Sequence, residues 1–230
     1  PHCCRSCQAL VQLLIRIYTD YLDTIPRLFD YNAFLILSNG TDAKVGTLGS
    51  KYEFFHEWKR LEEKEPGNVA LETMLRGICK KENFLDLLEN FILFDHSGGH
   101  TVKILARNHQ YLGVNEAVKA YEARRLNNGK LGVFWHTQGS GKSYSMVFLA
   151  QKIRRKFSGS PTIVVLTDRE ELNSQISDTF ENCGILGKAT AGQFIASSGT
   201  DLVEKLRGNP SFVFTLIQKF NKTDVEPISP

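Results

Sequence analysis

No run of apolar residues in this 230-residue chain approaches the roughly 20 needed to cross a bilayer. A membrane-spanning helix is therefore not expected. A large excess of charge of one sign is lacking as well. The 28 Lys and Arg outnumber the 25 Asp and Glu by a formal net charge of +3, which does not by itself announce a nucleic-acid binder. Cysteine is sparse and uneven: Cys3, Cys4 and Cys7 crowd the start, and Cys79 and Cys183 stand alone. That usage argues against a disulfide framework and for a reducing, cytoplasmic setting. Only His2 lies near the first three as a further ligand, so a zinc site is not expected there. The opening residues have no basic region followed by an apolar block and a cleavage site, and Pro1 stands where an initiator Met would. The chain is expected to be a piece of a longer one.

The composition that is present, 42% hydrophobic and 23% charged, is that of an ordinary globular protein able to bury a sizeable core. From about Ala9 to Tyr21 the apolar spacing is helical, and Ile25-Pro26 ends it. Asn32–Ser38 and Ala43–Leu48 read as strands joined by the turn Asn39-Gly40-Thr41-Asp42, a strong hairpin signal. An aromatic, amphipathic stretch over Glu53–Lys59 is broken by a charged turn. Leu and Phe spacing then predicts helices over 69–78 and 83–91. Asp95–His100 reads as a flexible link near the main domain boundary, followed by a β-like 101–106 and a long helix from His109 to Leu126. Beyond it the pattern alternates. Strand 131–135, helix 143–157, strand 162–167, helix 169–182, helix 200–206 and strand 212–216 predict an α/β fold with a parallel sheet covered on both faces.

His136-Thr137-Gln138-Gly139-Ser140-Gly141-Lys142-Ser143 follows the apolar run Leu131–Trp135. A strand end, two glycines that let the backbone curl and a helix N-terminus together make a cradle whose N–H groups and dipole favour phosphate. In that reading Gln138, Gly139, Ser140 and Gly141 wrap the phosphates of ATP. Lys142 reaches the β- and γ-phosphates, and Ser143 gives Mg²⁺ a hydroxyl ligand. His136 stands where the usual G-x-x-x-x-G-K-[ST] pattern has Gly. The bland alternative is a Gly/Ser turn between a strand and a helix.

Three further groups come in the order an ATP-driven motor would need. Upstream lies Arg107-Asn108-His109-Gln110-Tyr111, where the Gln110 amide can pair with an adenine edge and Arg107 can stack on a base or meet a phosphate. Alone it would be a helix start with a surface Arg. Thr167-Asp168-Arg169 closes the second strand at the sheet edge where ligands of open α/β folds sit. Asp168 can cap the next helix while Thr167 and Arg169 face DNA. Gln218 and Lys219 close the third strand at the same edge, suited to phosphate contacts.

These residues resemble the R (HsdR) subunit of type I restriction enzymes. The likeness is carried by Phe134-Trp135-His136-Thr137-Gln138-Gly139-Ser140-Gly141-Lys142-Ser143, by Val165-Leu166-Thr167-Asp168-Arg169 and by Leu216-Ile217-Gln218-Lys219-Phe220. Tyr31-Asn32, the hairpin from Ser38 to Thr47, Trp58-Lys59 and His109-Gln110-Tyr111 extend it upstream. In that family a His at position 136 is usual. The resemblance implies a superfamily 2 motor that hydrolyses ATP with Mg²⁺ to translocate double-stranded DNA, beside a separate PD-(D/E)xK nuclease domain. It also implies methyltransferase (M) and specificity (S) subunits as partners, and no membrane.

On this reading residues 1–92 are the C-terminal part of the nuclease domain with linker helices. Residues 93–230 are the first RecA-like motor domain, a P-loop parallel sheet. The DEAH-type acids, the second motor lobe with its arginine finger and the nuclease acids would lie outside this sequence, so the piece alone is expected to bind ATP weakly and be nearly inert. Gln12 has Arg16 four residues on and Tyr18 two further, a departure from the family's Q-x-x-x-Y, and no catalytic role is assigned to it. Other superfamily 2 helicases or remodellers, and a nucleotide-binding module without DNA activity, are the alternatives.

Overall fold

A computed structural model describes residues 5–187 and 189–220. His2, Cys3 and Cys4 lie outside these residues. The chain divides into two compact units. Among the described residues, one comprises 5–93 and 102–119, the other 94–101 and those from 120 to 220.

The first unit starts with α1 (Arg5–Thr24). Tyr18 on this helix meets Phe29 and Phe55 edge-on at 5.8 and 6.1 Å, and its hydroxyl accepts the Gly49 N–H. Strands β1 (Leu35–Ser38) and β2 (Ala43–Gly46) form the expected antiparallel hairpin, in register from Leu35 opposite Gly46 to Ser38 opposite Ala43. Asn39 makes the turn. Its side-chain oxygen accepts the Thr41 and Asp42 N–H groups at 2.9 and 2.7 Å, an Asx turn that fixes the register.

Helices α2 (Leu71–Ile78) and α3 (Lys81–Asn90) occupy the two stretches that helical spacing marks. The core collects Trp58, Met74, Ile78, Leu87, Phe91 and Val114, all fully buried. Gly77 is required by that packing, because a Cβ there would lie 2.2 Å from the Trp58 ring nitrogen. Asn108, at the start of α4 (Asn108–Glu122), is buried and serves the backbone of the segment beside it. Its side-chain oxygen accepts the N–H groups of Lys59 and Arg60, and its amide donates to the Arg60 carbonyl. One side chain thus satisfies three main-chain polar groups of an irregular segment.

The stretch read as a flexible link is the turn of a strand pair, β3 (Ile92–Asp95) with β4 (Val102–Leu105). Asp95 organises it by accepting the Ser97 N–H at 2.8 Å. The signal is an Asx turn, which composition alone disguises as a Gly-rich linker.

In the second unit α5 (Lys142–Lys156) buries Val147, Phe148, Ala150 and Ile153. Strands β5 (Ile163–Thr167) and β6 (Phe212–Leu216) pair in parallel, Ile163 opposite Phe212 through to Thr167 opposite Leu216. Between them run α6 (Glu170–Asn182), a single turn α7 (Ala191–Phe194) that the hydrophobic pattern did not announce, and α8 (Gly199–Arg207).

Phe180 of α6 meets Phe212 and Phe214 edge-on at 5.5 and 5.4 Å. Val213 packs with Ala196, Leu202 and Leu206, so β6 is covered on both faces. The Ala196 N–H donates to the Phe214 carbonyl on the side of β6 away from β5. Coverage of β5 is one-sided, contrary to expectation: Val165 and Thr167 are buried, while Val164 and Leu166 are 42% and 49% exposed.

The strand expected at 131–135 does not form. Val133 is 94% exposed and Trp135 78%, and Gly132 sits at φ +116, which interrupts the extended geometry a ladder needs. Strands of this kind exist by pairing, and among the described residues the paired strands are β1 with β2, β3 with β4, and β5 with β6. The apolar character of 131–135 remains, without a ladder to bury it.

Candidate nucleotide-binding site

Residues 136–141 curl into an irregular loop that opens directly on α5. Gly139 and Gly141 both sit in the left-handed region, at φ +77 and φ +82, where a side chain would be strained. His136 does not, since the positive-φ residues other than glycine among those described are Asn128 and Asn209. The departure at position 136 therefore costs the loop nothing in backbone geometry. What this position contributes is its carbonyl. The Lys142 ammonium donates to the carbonyl oxygens of His136 and Thr137 at 2.8 and 2.9 Å, folding the lysine back over its own loop.

The start of α5 has no side-chain cap, and its N-cap is Gly141. The first N–H groups of a helix lack intrahelical acceptors, so this end offers donors and partial positive charge to an anion. A Cβ built on Gly139 meets nothing within 4 Å, so the loop is open on that side. Ser143 is half-buried in the first turn of the helix, one residue beyond the lysine. The donor set fits a polyphosphate. It combines an open loop with two left-handed glycines, a flexible ammonium and a helix N-terminus, with a hydroxyl suited to Mg²⁺.

At the C-terminal end of the parallel pair the structure gathers the second group. The Gln218 amide donates to the Asp168 carbonyl at 3.0 Å. Thr167 is buried, and its hydroxyl donates to the Arg169 carbonyl and the Asn173 side-chain oxygen, both at 3.4 Å. Asp168 and Arg169 form a solvated ion pair at 3.5 Å, their side chains 65% and 75% exposed. The helix cap expected of Asp168 does not occur. Arg169 is the N-cap of α6, with no side-chain cap bond, and Asp168 lies one residue too early. The Lys219 ammonium donates to the Ala196 carbonyl, which anchors it within the fold.

Gln110 and Arg107 lie at the start of α4, in the other compact unit. Gln110 is buried, and its side-chain oxygen accepts the Arg107 N–H at 2.9 Å, the local helix-start role. Arg107 is exposed.

One feature of the second unit escaped sequence reasoning. The Tyr144 hydroxyl donates to Asp95 at 2.5 Å. No local pattern joins residues 49 positions apart.

Residues 109–229 match the SWI2/SNF2 ATPase family. The chain belongs to that family. The matched stretch begins in α4 and contains the loop, the lysine and both parallel strands. Relatives extend the likeness upstream. The chain is 38% identical to the type I restriction enzyme HindI endonuclease subunit of Haemophilus influenzae, over 91% of its own length and 21% of that protein's. It is 30% identical to the MjaIXP relative of Methanocaldococcus jannaschii, also named for a type I restriction enzyme endonuclease subunit, over 86% of its length and 20% of the relative's. The SsaAORF53P endonuclease subunit of Staphylococcus saprophyticus is 25% identical over 85% of the chain and 20% of the relative. The chain thus spans about a fifth of the length of these relatives, and the family resemblance read from the motifs holds across nearly all of it.

Proposed function

We propose that this chain is part of the endonuclease subunit of a type I restriction enzyme, and that its loop 136–143 grips ATP for a motor that translocates double-stranded DNA. The observation that carries the reading is Lys142, folded over the carbonyls of His136 and Thr137 behind two left-handed glycines, in a chain 38% identical over 91% of its length to a type I endonuclease subunit.

The lysine exchanges those two carbonyls for phosphate oxygens, a stronger partner for an ammonium. The N–H groups of the loop and of the first turn of α5 bind the same phosphates, and Gln138, Gly139, Ser140 and Gly141 shape the wrap. The Ser143 hydroxyl is the protein's ligand to Mg²⁺, which when bound neutralises phosphate charge. Gln110 and Arg107 are the candidates for the adenine side, and Gln110 would trade the Arg107 N–H for the base edge. Thr167, Asp168, Arg169, Gln218 and Lys219 form the candidate DNA-contact and coupling edge. Arg169 is the exposed cation there, and Gln218 ties the two strand ends together. Residues 1–92 are read as the C-terminal part of a PD-(D/E)xK nuclease domain. The M and S subunits of such an enzyme are the expected partners, with recognition of the target sequence residing in the S subunit.

The test is the ATPase activity of the full-length subunit with and without double-stranded DNA. Lys142→Ala should abolish ATP binding and turnover. Turnover indifferent to DNA would instead make the protein a nucleotide-dependent switch, and intact turnover in Lys142→Ala would remove the cradle from the reaction.

A further inference from the structure

We propose that Asp95 is a positioning residue for the phosphate grip and acts through Tyr144. The inference rests on the reading of residues 136–143 as an ATP cradle. Tyr144 follows Ser143 and shares the first turn of α5 with Lys142. Its hydroxyl donates to one carboxylate oxygen of Asp95 at 2.5 Å. The other carboxylate oxygen accepts the Ser97 N–H at 2.8 Å, and Asp95 is only 7% exposed. The next residue is pinned as well, since the His96 N–H donates to the Asn182 carbonyl at the end of α6 at 3.1 Å. The carboxylate is thus fixed by backbone on one side and holds the helix start on the other.

That hold matters because the start of α5 has no side-chain cap of its own. Gly141, the N-cap, has no side chain to supply one. The Tyr144–Asp95 bond is then a side-chain anchor of the turn that carries the lysine and the serine, tying it to a distant part of the chain. A phenol donating to a carboxylate is a charge-assisted bond, short and about twice as strong as a neutral one.

The protonation states suit this role. Burial raises the Asp95 carboxyl, but the hydrogen bonds from Tyr144 and Ser97 outweigh it and leave the group below its usual value, hence ionised at neutral pH. Burial, then the bond to Asp95, pushes the Tyr144 phenol up, so it remains a donor. The nearby Cys183 thiol is raised to about 12 by burial and by the Asp95 charge, and stays neutral.

The experiment is steady-state ATP hydrolysis by the full-length subunit in its complex, with Tyr144→Phe and Asp95→Asn. Both substitutions keep size and shape. Each is expected to raise KM for ATP roughly five- to tenfold with kcat within about twofold, because the bond orders the groups that hold the phosphates. The double variant should be no worse than the more impaired single one, since Tyr144→Phe removes the bond and Asp95→Asn, whose one side-chain oxygen has to serve both Tyr144 and Ser97, weakens it. A purely structural bond behaves differently: its loss removes active enzyme, lowering the apparent kcat at unchanged KM. Unchanged KM, with or without a fall in kcat, therefore overturns the proposal. Should Tyr144→Phe fail to fold, Asp95→Asn carries the same KM readout. Lys142→Ala separates the two levels. If that variant still hydrolyses ATP, the cradle reading fails. If it is dead while Tyr144→Phe keeps the wild-type KM, only the positioning role fails.

Discussion

The Gln218 side-chain amide donates to the main-chain carbonyl of Asp168 at 3.0 Å, fastening the end of β6 to the end of β5. Asp168 lies one position and Gln218 two positions beyond the last register pair, Thr167 opposite Leu216, so the bond sets the spacing of the polar edge. The bond is solvent-exposed, which limits its worth to stability. Gln218→Ala is expected to cost no more than about 1 kcal/mol in denaturant unfolding. It should, however, raise the DNA concentration needed for half-maximal ATPase stimulation, because the Asp168-Arg169 segment loses its tie. An unchanged DNA titration would show that this edge takes no part in the coupling.

Gly139 separates conformational cost from loss of binding. Its φ of +77 penalises any side chain, and a Cβ there meets no protein atom within 4 Å. Gly139→Ala should therefore destabilise the protein by only about 1 kcal/mol, the cost of a left-handed alanine. Its effect on ATP affinity should be far larger, since the methyl group intrudes on a loop whose backbone must approach phosphate. Equal small losses in stability and affinity would place the phosphates elsewhere.

The glycine loop ahead of α5 was legible because its pattern is local. Two glycines, a lysine and a serine lie within five consecutive positions, and the structure needs left-handed backbone at Gly139 and Gly141. The hairpin around Asn39 and the parallel pairing of β5 with β6 were legible for the same reason, being written in turn chemistry and short apolar runs. Contacts between distant residues were not. Asn108 closing on Lys59 and Arg60, and Tyr144 reaching Asp95, join positions 48 to 49 apart that no periodicity relates. The run at 131–135 misled in the opposite sense. Its residues have strand character, but a strand is a paired object, and Gly132 in the left-handed region interrupts the run.

Gly77 tests the core of the first unit. Trp58 is 1% exposed and lies against Gly77 so closely that an added Cβ would approach its ring nitrogen to 2.2 Å. The indole is rigid and boxed in, so it cannot give way as a flexible chain end would. Gly77→Ala, although it favours helix by about 1 kcal/mol in α2, should be net destabilising by roughly 1–3 kcal/mol. Tryptophan fluorescence should shift towards that of a solvated ring. A variant as stable as the parent would mean that this packing is looser than the contact implies.

His56 gives the first unit a calculable dependence on pH. Burial holds its imidazole neutral down to about 4, and the Arg107 and His109 charges reinforce the effect. An unfolded histidine titrates near 6.5. Between those values the unfolded chain carries a proton that the folded one refuses, so stability rises with pH through this window and is lost as pH falls from about 6.5 towards 4. The full difference corresponds to up to about 3 kcal/mol. Denaturant midpoints of the parent and of His56→Gln, measured from pH 7 to pH 4.5, should converge as the pH drops, because the glutamine has no proton to exclude. The parent is expected to be the more stable at pH 7 and to lose that margin in acid. Parallel curves across the window would show that His56 takes up its proton in the folded state as it does in the unfolded one, and that a counter-charge offsets the burial.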